Sequence, residues 1–305
     1  MSDTTDLRIG IDLGGSKIQG VVLDDRGVVL ASQRALVPRN EYRRTVTAVV
    51  DLVHSLEREA GCRARVAVGC PGSISPVSGL HRNSNATWLI GEDLLGDLSR
   101  KLGRSIVMEN DANCFALSEA QSDEVAGARV MVGVVLGTGV GSGLVIDGRI
   151  VRGRNAIGSE LGHCSLPWPS GEEHPGPPCY CGRRGCIETF LAGGALTREY
   201  LTRGGVRRDA RDIGRLASEG DEAAVECLSR YCGRLARSLA MVVNVLDPDV
   251  IVLGGGVARI PRIFDEVPGL LASWIFSDSL ETRILPAVYG GASGARGAAL
   301  LLPSA

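Results

Sequence analysis

No run of like charge, no apolar segment long enough for a membrane and no low-complexity linker occurs in this 305-residue chain, and each absence removes a class of function. Lysine plus arginine (33) nearly balance aspartate plus glutamate (35) for a formal charge of −2, with the signs mixed along the chain. Nothing therefore advertises a nucleic-acid or membrane surface, and clusters such as Arg183 and Arg184 read as solvated loop charge. The opening MSDTTDLRIG has neither a basic n-region nor an apolar h-region, and no later stretch approaches the ~20 apolar residues of a membrane span. The expectation is a cytoplasmic protein with neither a nucleic-acid nor a membrane partner. A hydrophobic fraction of 44% with 22% charge excludes disorder and suits one large or two ordinary domains. The loosest segment is PWPSGEEHPGPPC, expected as a Pro/Gly-rich surface loop.

Nine cysteines are an odd number, and six (Cys62, Cys70, Cys114, Cys164, Cys227, Cys232) are scattered singly, which is not the pattern of a secreted disulfide framework. The other three fall in PCYCGRRGC. With His163 upstream, Cys179, Cys181 and Cys186 form a Cys3His set suited to tetrahedral Zn²⁺, and four protein ligands make such a site structural. His174 is nearer the cysteines, and spacing alone does not exclude it. A disulfide or inert thiols are the alternatives.

The stretches GIDLGGSKIQGVVLDDRGVV and GVVLGTGVGSGLVIDGRIV align residue by residue at Gly10/Gly133, Leu13/Leu136, Gly14/Gly137, Gly20/Gly143, Val22/Val145, Asp24/Asp147, Arg26/Arg149 and Val28/Val151. This is an internal duplication. Each copy reads as strand, Gly-rich turn, strand and polar turn, the pattern of a β-hairpin. Val46, Val49, Val50 and Val53 recur at helical spacing, ARVAVGCPG supplies another short strand, and a long stripe from Val225 to Leu246 predicts a helix that Pro248 stops before VIVLGGG. Strands and helices alternate in both halves, which predicts α/β layers.

Asp12-Leu13-Gly14-Gly15-Ser16-Lys17 puts a carboxylate at a strand end beside glycines whose N–H groups can approach a phosphate. Ser16 and Lys17 come in the wrong order for a Walker A loop, and GTGVGSG does not match the dinucleotide fingerprint. One such loop would serve equally as a tight hairpin. Three of them, at Gly14/Gly15, Gly137/Gly139/Gly141 and Gly254/Gly255/Gly256, each after an apolar strand, suit a ligand with several phosphates in a cleft between two domains. In MENDANCFALSEA, Asp111 follows a short strand and precedes a helix, where it can serve either as a proton acceptor for an attacking hydroxyl or as an ordinary helix N-cap. Glu160 and His163 in GSELGH would share a face of a helical turn.

Taken together and in order, IGIDLGGSK, GCPG, ENDAN, LGTGVGSG, SELGH, CYCGRRGCIE and DPDVIVLGGG closely resemble the ROK family of bacterial sugar kinases, over about residues 8 to 299. PGSISPVSGLHRNSNATW and LPWP look most like its fructokinase, or manno(fructo)kinase, branch. The resemblance implies an α/β, actin-like, hexokinase-type (ribonuclease H-like) duplicated fold with a central ATP and sugar cleft. The expected domains are 1–118 and 119–292, the latter with the zinc site, and a C-terminal helix at about 293–305 packing back on the first.

The same resemblance implies Mg-ATP as co-substrate and a homodimer. Asp12, Gly14, Gly15, Ser16 and Lys17 would meet the phosphates, with Asp12 placing Mg²⁺ through water. Gly137, Thr138 and Gly139 would approach from the other domain, and Gly254 and Gly255 would line the adenosine. Asp111 carries over as general base, and Asn110, Glu160, His163, Glu188 and one of Asn83 and Asn85 as sugar contacts. His163 would bind zinc with one ring nitrogen and a sugar hydroxyl with the other. The family's usual threonine is Ser16 here, which keeps the hydroxyl. The expected reaction is phosphorylation of the 6-hydroxyl of a hexose, fructose first, with N-acetylglucosamine, N-acetylmannosamine or glucose as alternatives. Repressors of the family carry a DNA-binding helix-turn-helix ahead of the sugar domain, and with roughly eight residues before the first strand here the expectation is a kinase rather than a repressor. An idle sugar sensor is disfavoured by the presence of Asp12 and Asp111.

Overall fold

The computed structural model describes residues 7–303. They divide into two units: 7–124 with 149–158 and 289–303, and 125–148 with 159–288. The first unit thus runs past residue 118 to 124 and takes in a short segment from the middle of the chain. Among the described residues no helix is long and apolar enough to cross a membrane.

The first unit begins with strands β1 (Arg8–Leu13), β2 (Lys17–Leu23) and β3 (Val29–Leu36), helix α1 (Tyr42–Ala60) and strand β4 (Arg65–Cys70). The short pair β5 (Ser73–Ile74) and β6 (His81–Arg82), helix α2 (Leu94–Leu102), strand β7 (Val107–Asn110) and helix α3 (Asp111–Glu119) follow. Its main sheet has the order β3-β2-β1-β4-β7. β1 and β2 pair antiparallel, as a hairpin must, while β4 is parallel to β1 and β7 to β4. The valines at helical spacing in α1 (Val46, Val49, Val50, Val53) are all buried against this sheet, together with Ile9, Ile11 and Val68. α1 stops where Gly61 takes the left-handed conformation.

The second unit opens with β8 (Val130–Leu136) and β9 (Val140–Ile146), after which a segment beginning with β10 (Arg149–Ile150) belongs to the first. It continues with α4 (Glu188–Leu191), α5 (Gly193–Thr202), α6 (Ala210–Ser218), α7 (Glu222–Leu246), β11 (Val250–Gly254), α8 (Arg262–Ala272) and β12 (Arg283–Pro286). β8 and β9 again form an antiparallel hairpin, β11 lies parallel to β8, and β12 parallel to β11. The duplication read from the glycines is therefore a duplication of strand pairing. α7 buries Leu228, Cys232, Leu235 and Leu239 and ends at Asp247, whose positive φ of 44° directly precedes Pro248.

The last helix, α9 (Ser293–Leu300), returns to the first unit, where Ala295 and Ala299 pack on Val21 and Leu23. Its first turn is fixed by the buried Glu119, which accepts from Ser293 Oγ at 2.6 Å and from the Tyr289 N–H at 3.3 Å.

The Pro/Gly-rich segment is not the loose loop its composition predicts. It contains a short 3-10 turn, Gly171–Glu173, whose Glu173 is buried and accepts from Arg234 Nε at 2.8 Å and Arg237 Nη2 at 2.9 Å. Burial alone would raise the Glu173 pKa, yet the Arg237 and Arg234 hydrogen bonds hold it down to about 2. Two arginines from α7 anchor a segment whose local sequence favours no structure.

Candidate functional site

Parallel pairing brings the carboxyl ends of β1, β4 and β7 side by side, with Asp12 opposite Gly69 and Cys70 opposite Asn110. Ligands in open α/β sheets bind outside such ends. Asp12 is half-buried, sits against Gly294 in the first turn of α9, and lies near Lys17. Burial, with the charge of Asp111 adding to it and Lys17 opposing, raises the Asp12 carboxyl to about 7. Burial also raises Asp111, against the Ala112 N–H that donates to its Oδ1 at 2.9 Å. Two carboxyl groups disfavoured as anions make a place where a cation would be stabilised. The donor set therefore fits Mg²⁺, held near Asp12.

Asp111 is not the helix cap. Asn110 has the extended backbone (φ −63°, ψ 142°) of an N-cap, and its Oδ1 accepts from the N–H groups of Ala112 and Asn113 at 2.9 and 3.2 Å. This leaves Asp111 Oδ2 without any capping duty. Asn110 Nδ2 donates to the Gly72 carbonyl at 3.1 Å, so its side chain positions the loop after β4 as well as the helix. The neighbouring Pro71 carbonyl meets His81 Nε2 at 2.8 Å, and burial lowers the His81 pKa, keeping it neutral. His81 was not read from the sequence, because a single histidine carries no periodic signal. Asn83 and Asn85 are both exposed, and Asn83 places its backbone carbonyl against Gly72.

The first glycine turn closes with the Gly14 N–H on the Lys17 carbonyl at 3.0 Å, and Arg39 Nε holds the Gly15 carbonyl at 2.8 Å. Ser16 and Lys17 are exposed beside it. In the second unit, the Gly137 N–H closes the corresponding turn on the Gly139 carbonyl at 3.0 Å, with Thr138 exposed. Gly254 ends β11, and Gly255 follows with φ +90° and its α-carbon pressed on the backbone of Leu136, where no side chain fits.

Glu188, the first residue of α4, accepts from the Val140 N–H through Oε2 at 2.9 Å. A side chain at Gly139 would collide with that oxygen. The Gly193 N–H donates to the Gly137 carbonyl at 2.8 Å. The segment around Glu188 therefore braces both ends of the 137–139 turn, a role the sequence did not reveal.

The four ligand atoms of His163, Cys179, Cys181 and Cys186 lie within 4.8 Å of one another. Cys179 Sγ is 3.6 Å from His163 Nδ1, and Cys181 Sγ is 3.6 Å from Cys186 Sγ. Ligands of a tetrahedral zinc stand about 3.5–3.8 Å apart, given Zn–S and Zn–N bonds of about 2.3 and 2.0–2.1 Å. The set fits zinc, and His163 rather than His174 completes it. Glu160 precedes the 3-10 turn Leu161–His163, and its carbonyl accepts from the His163 N–H at 3.2 Å. The second ring nitrogen of His163 is not free for a sugar: Nε2 lies 2.9 Å from the Tyr180 hydroxyl.

The chain's family model and its relatives bear on this geometry. The ROK family model matches residues 8–305. The chain belongs to the ROK family. Relatives include the N-acetyl-D-glucosamine kinases of Photobacterium profundum (37% identical, covering 96% of this chain and 98% of that protein) and of Pectobacterium carotovorum (38%, covering 96% and 97%). Among solved structures, the ROK hexokinase of Thermus thermophilus superposes with a TM-score of 0.82 at 31% identity, covering 96% of this chain and 97% of that one. The ROK family glucokinase of Streptomyces griseus, solved with glucose and AMPPNP, gives 0.84 at 26%, covering 98% and 100%. This ROK protein thus has the hexokinase-type fold of two α/β domains. The fructokinase branch suggested by the 71–88 segment finds no support in these relatives, which are N-acetylglucosamine kinases.

Proposed function

We propose that this ROK protein, an ATP-dependent sugar kinase, transfers the γ-phosphoryl group of Mg-ATP to the 6-hydroxyl of N-acetylglucosamine. The relatives named for that sugar support it over fructose, and their likeness spans nearly the whole chain where the fructokinase likeness rests on short segments. The observation that carries the kinase reading is Asp111, half-buried and free of capping duty directly after β7, in a parallel set whose strand β1, one strand beyond β4, bears Asp12 at its carboxyl end.

In this reading the Asp111 carboxylate accepts the proton of the attacking hydroxyl as its oxygen bonds to the γ-phosphorus and the bond to the β–γ bridging oxygen breaks, releasing ADP. Asn110 orients the loop that meets the sugar, with Asn83 the preferred of the two asparagines. Glu160, His163 and Glu188 carry over from the resemblance as sugar contacts of the second unit. For His163 this requires Tyr180 to yield its place. The N–H groups of residues 14–16 and 137–139, with Lys17, would take up phosphate charge, and Gly254 and Gly255 would line the adenosine. When bound near Asp12, Mg²⁺ would supply positive charge to the phosphates. Zinc at His163, Cys179, Cys181 and Cys186 is structural, since four protein ligands leave no open position.

A coupled assay of ADP release over N-acetylglucosamine, N-acetylmannosamine, glucose, mannose and fructose at subsaturating concentration tests the reading. The expected result is the highest kcat/KM for N-acetylglucosamine. A higher value for fructose would sink the sugar assignment, and no ADP release with any sugar would sink the kinase reading.

A further inference from the structure

The second unit carries an exposed aromatic patch that none of the roles above uses. Phe276 is 101% exposed, Val245 75%, Trp168 47% and Trp274 39%. Segments distant in the chain bring these side chains together. The Trp168 and Trp274 rings lie 5.2 Å apart between centroids at a tilt of 30°. The side chain of Asn244, near the end of α7, ties down the chain on both sides of Ile275: its Nδ2 donates to the Trp274 carbonyl at 3.1 Å, and its Oδ1 accepts from the Phe276 N–H at 2.8 Å. Val245 is the next residue of the same helix.

The backbone at Trp168 is strained in this arrangement. Its φ of 45° lies in the left-handed region, which a bulky side chain rarely enters. Arg237 holds it there, donating from Nη1 to the carbonyls of Pro167 and Trp168 at 3.2 and 2.5 Å. Such strain persists only where the surrounding structure imposes it, and here it keeps an indole at the surface instead of in the core.

A single copy of the chain gains nothing from two indoles and a phenyl ring in water, and an uncovered face of this kind invites aggregation. With about 150–250 Å² for each large aromatic side chain, the patch presents on the order of 500–600 Å² of largely apolar surface. A standard interface takes about 800 Å² from each partner, roughly two thirds of it apolar in homodimers. The patch is thus as large as the apolar core that one subunit of a stable dimer contributes. Its cover has to be present wherever the chain is, and a second copy of the chain always is. None of these side chains is charged, so the patch meets its own copy without repulsion in a closed two-fold pair, ring against ring.

We infer that this face is the interface of a homodimer, the Trp168, Trp274, Phe276 and Val245 patch of one copy packing on the same patch of the other. The inference is independent of which sugar the protein phosphorylates.

Sedimentation equilibrium of the full chain at about 50 μM, above the micromolar Kd of the weakest interfaces of this size, tests it on the wild type and on the Phe276→Glu and Val245→Glu variants. Both positions are exposed, so neither substitution disturbs the fold of a single copy, which circular dichroism checks. The wild type is expected at twice the mass of the chain, with a Kd raised about thirtyfold or more in each variant, the usual worth of an interface anchor. A monomeric wild type overturns the inference, including one that phospholipid vesicles capture instead. A wild-type dimer that both folded variants keep with unchanged Kd overturns it as well, because the contact then lies on another face.

Discussion

The negative charge of Asp111 adds to burial in raising the Asp12 carboxyl to about 7, although 99 positions separate the two residues in the chain. Each carboxyl sits at the end of a strand of one parallel set, so the sheet register makes them neighbours.

Replacing Asp111 by Asn should lower kcat by about 10²–10⁴-fold, the usual worth of a general base, with a smaller effect on KM. The same variant should lower the Asp12 pKa below its wild-type value, since one of the two influences raising it is gone. A carboxyl-detected NMR titration of the ligand-free variant checks this, and an unchanged Asp12 titration would contradict the coupling.

Glu188 bonds the Val140 N–H just after the 137–139 turn. If it braces a phosphate-binding turn, Glu188→Ala should raise KM for ATP about tenfold as well as weakening the sugar. A purely sugar-contacting Glu188 would leave KM for ATP where it was, and steady-state kinetics with each substrate varied separates the two.

The Cys3His cluster is joined to that brace by two residues, because Cys186 precedes Glu188 by two positions. Metal analysis of the purified wild type should return about one zinc per chain, and Cys181→Ser should lose it. The variant should also show the raised KM for ATP of Glu188→Ala, since an unanchored Cys186 frees the segment. A zinc-free, folded Cys181→Ser with wild-type constants for both substrates would break the link.

Glu173 predicts an acid dependence. Its folded-state pKa of about 2 lies below the usual 4.5, so between those values the unfolded chain binds the proton more readily than the folded one. The stabilisation is therefore complete above about pH 4.5 and disappears as the pH falls towards 2. At neutral pH, Glu173→Ala should cost roughly 3 kcal/mol by leaving the buried Arg237 with backbone carbonyls alone and Arg234 with Glu199 as its one remaining carboxylate. Urea midpoints of wild type and variant should converge on acidification from pH 5 to pH 2.5, and a gap that stayed constant would refute the assignment.

Much of the frame was legible in the sequence. The paired glycine turns between apolar strands fixed the duplication, because hairpin pairing depends on local turn chemistry and period-two burial. The stripe of α7 and its stop at Pro248 were equally local. The Cys3His set was legible as well, because metal ligation needs few residue types at restricted spacings. Other features had no such signal. Asn110 rather than Asp111 is the helix cap, a choice made by a single backbone torsion. Tyr180 on His163, Glu188 on Val140 and Arg152 on Glu109 are contacts between segments 17 to 48 positions apart, with no repeating pattern to announce them.

The sequence by itself thus determined which residue types were present to do chemistry and the local elements that carry them, since propensity, turn geometry and hydrophobic period act over a few residues. Only the tertiary structure decided which polar atoms are spent on holding the fold and which are left over. Asn110 and Asn113 are both asparagines at the start of one helix. The first is consumed by capping α3 and holding the Gly72 carbonyl, while the second keeps a buried oxygen without a partner. That difference arises from desolvation and partner geometry, which exist only once distant strands and helices have packed together.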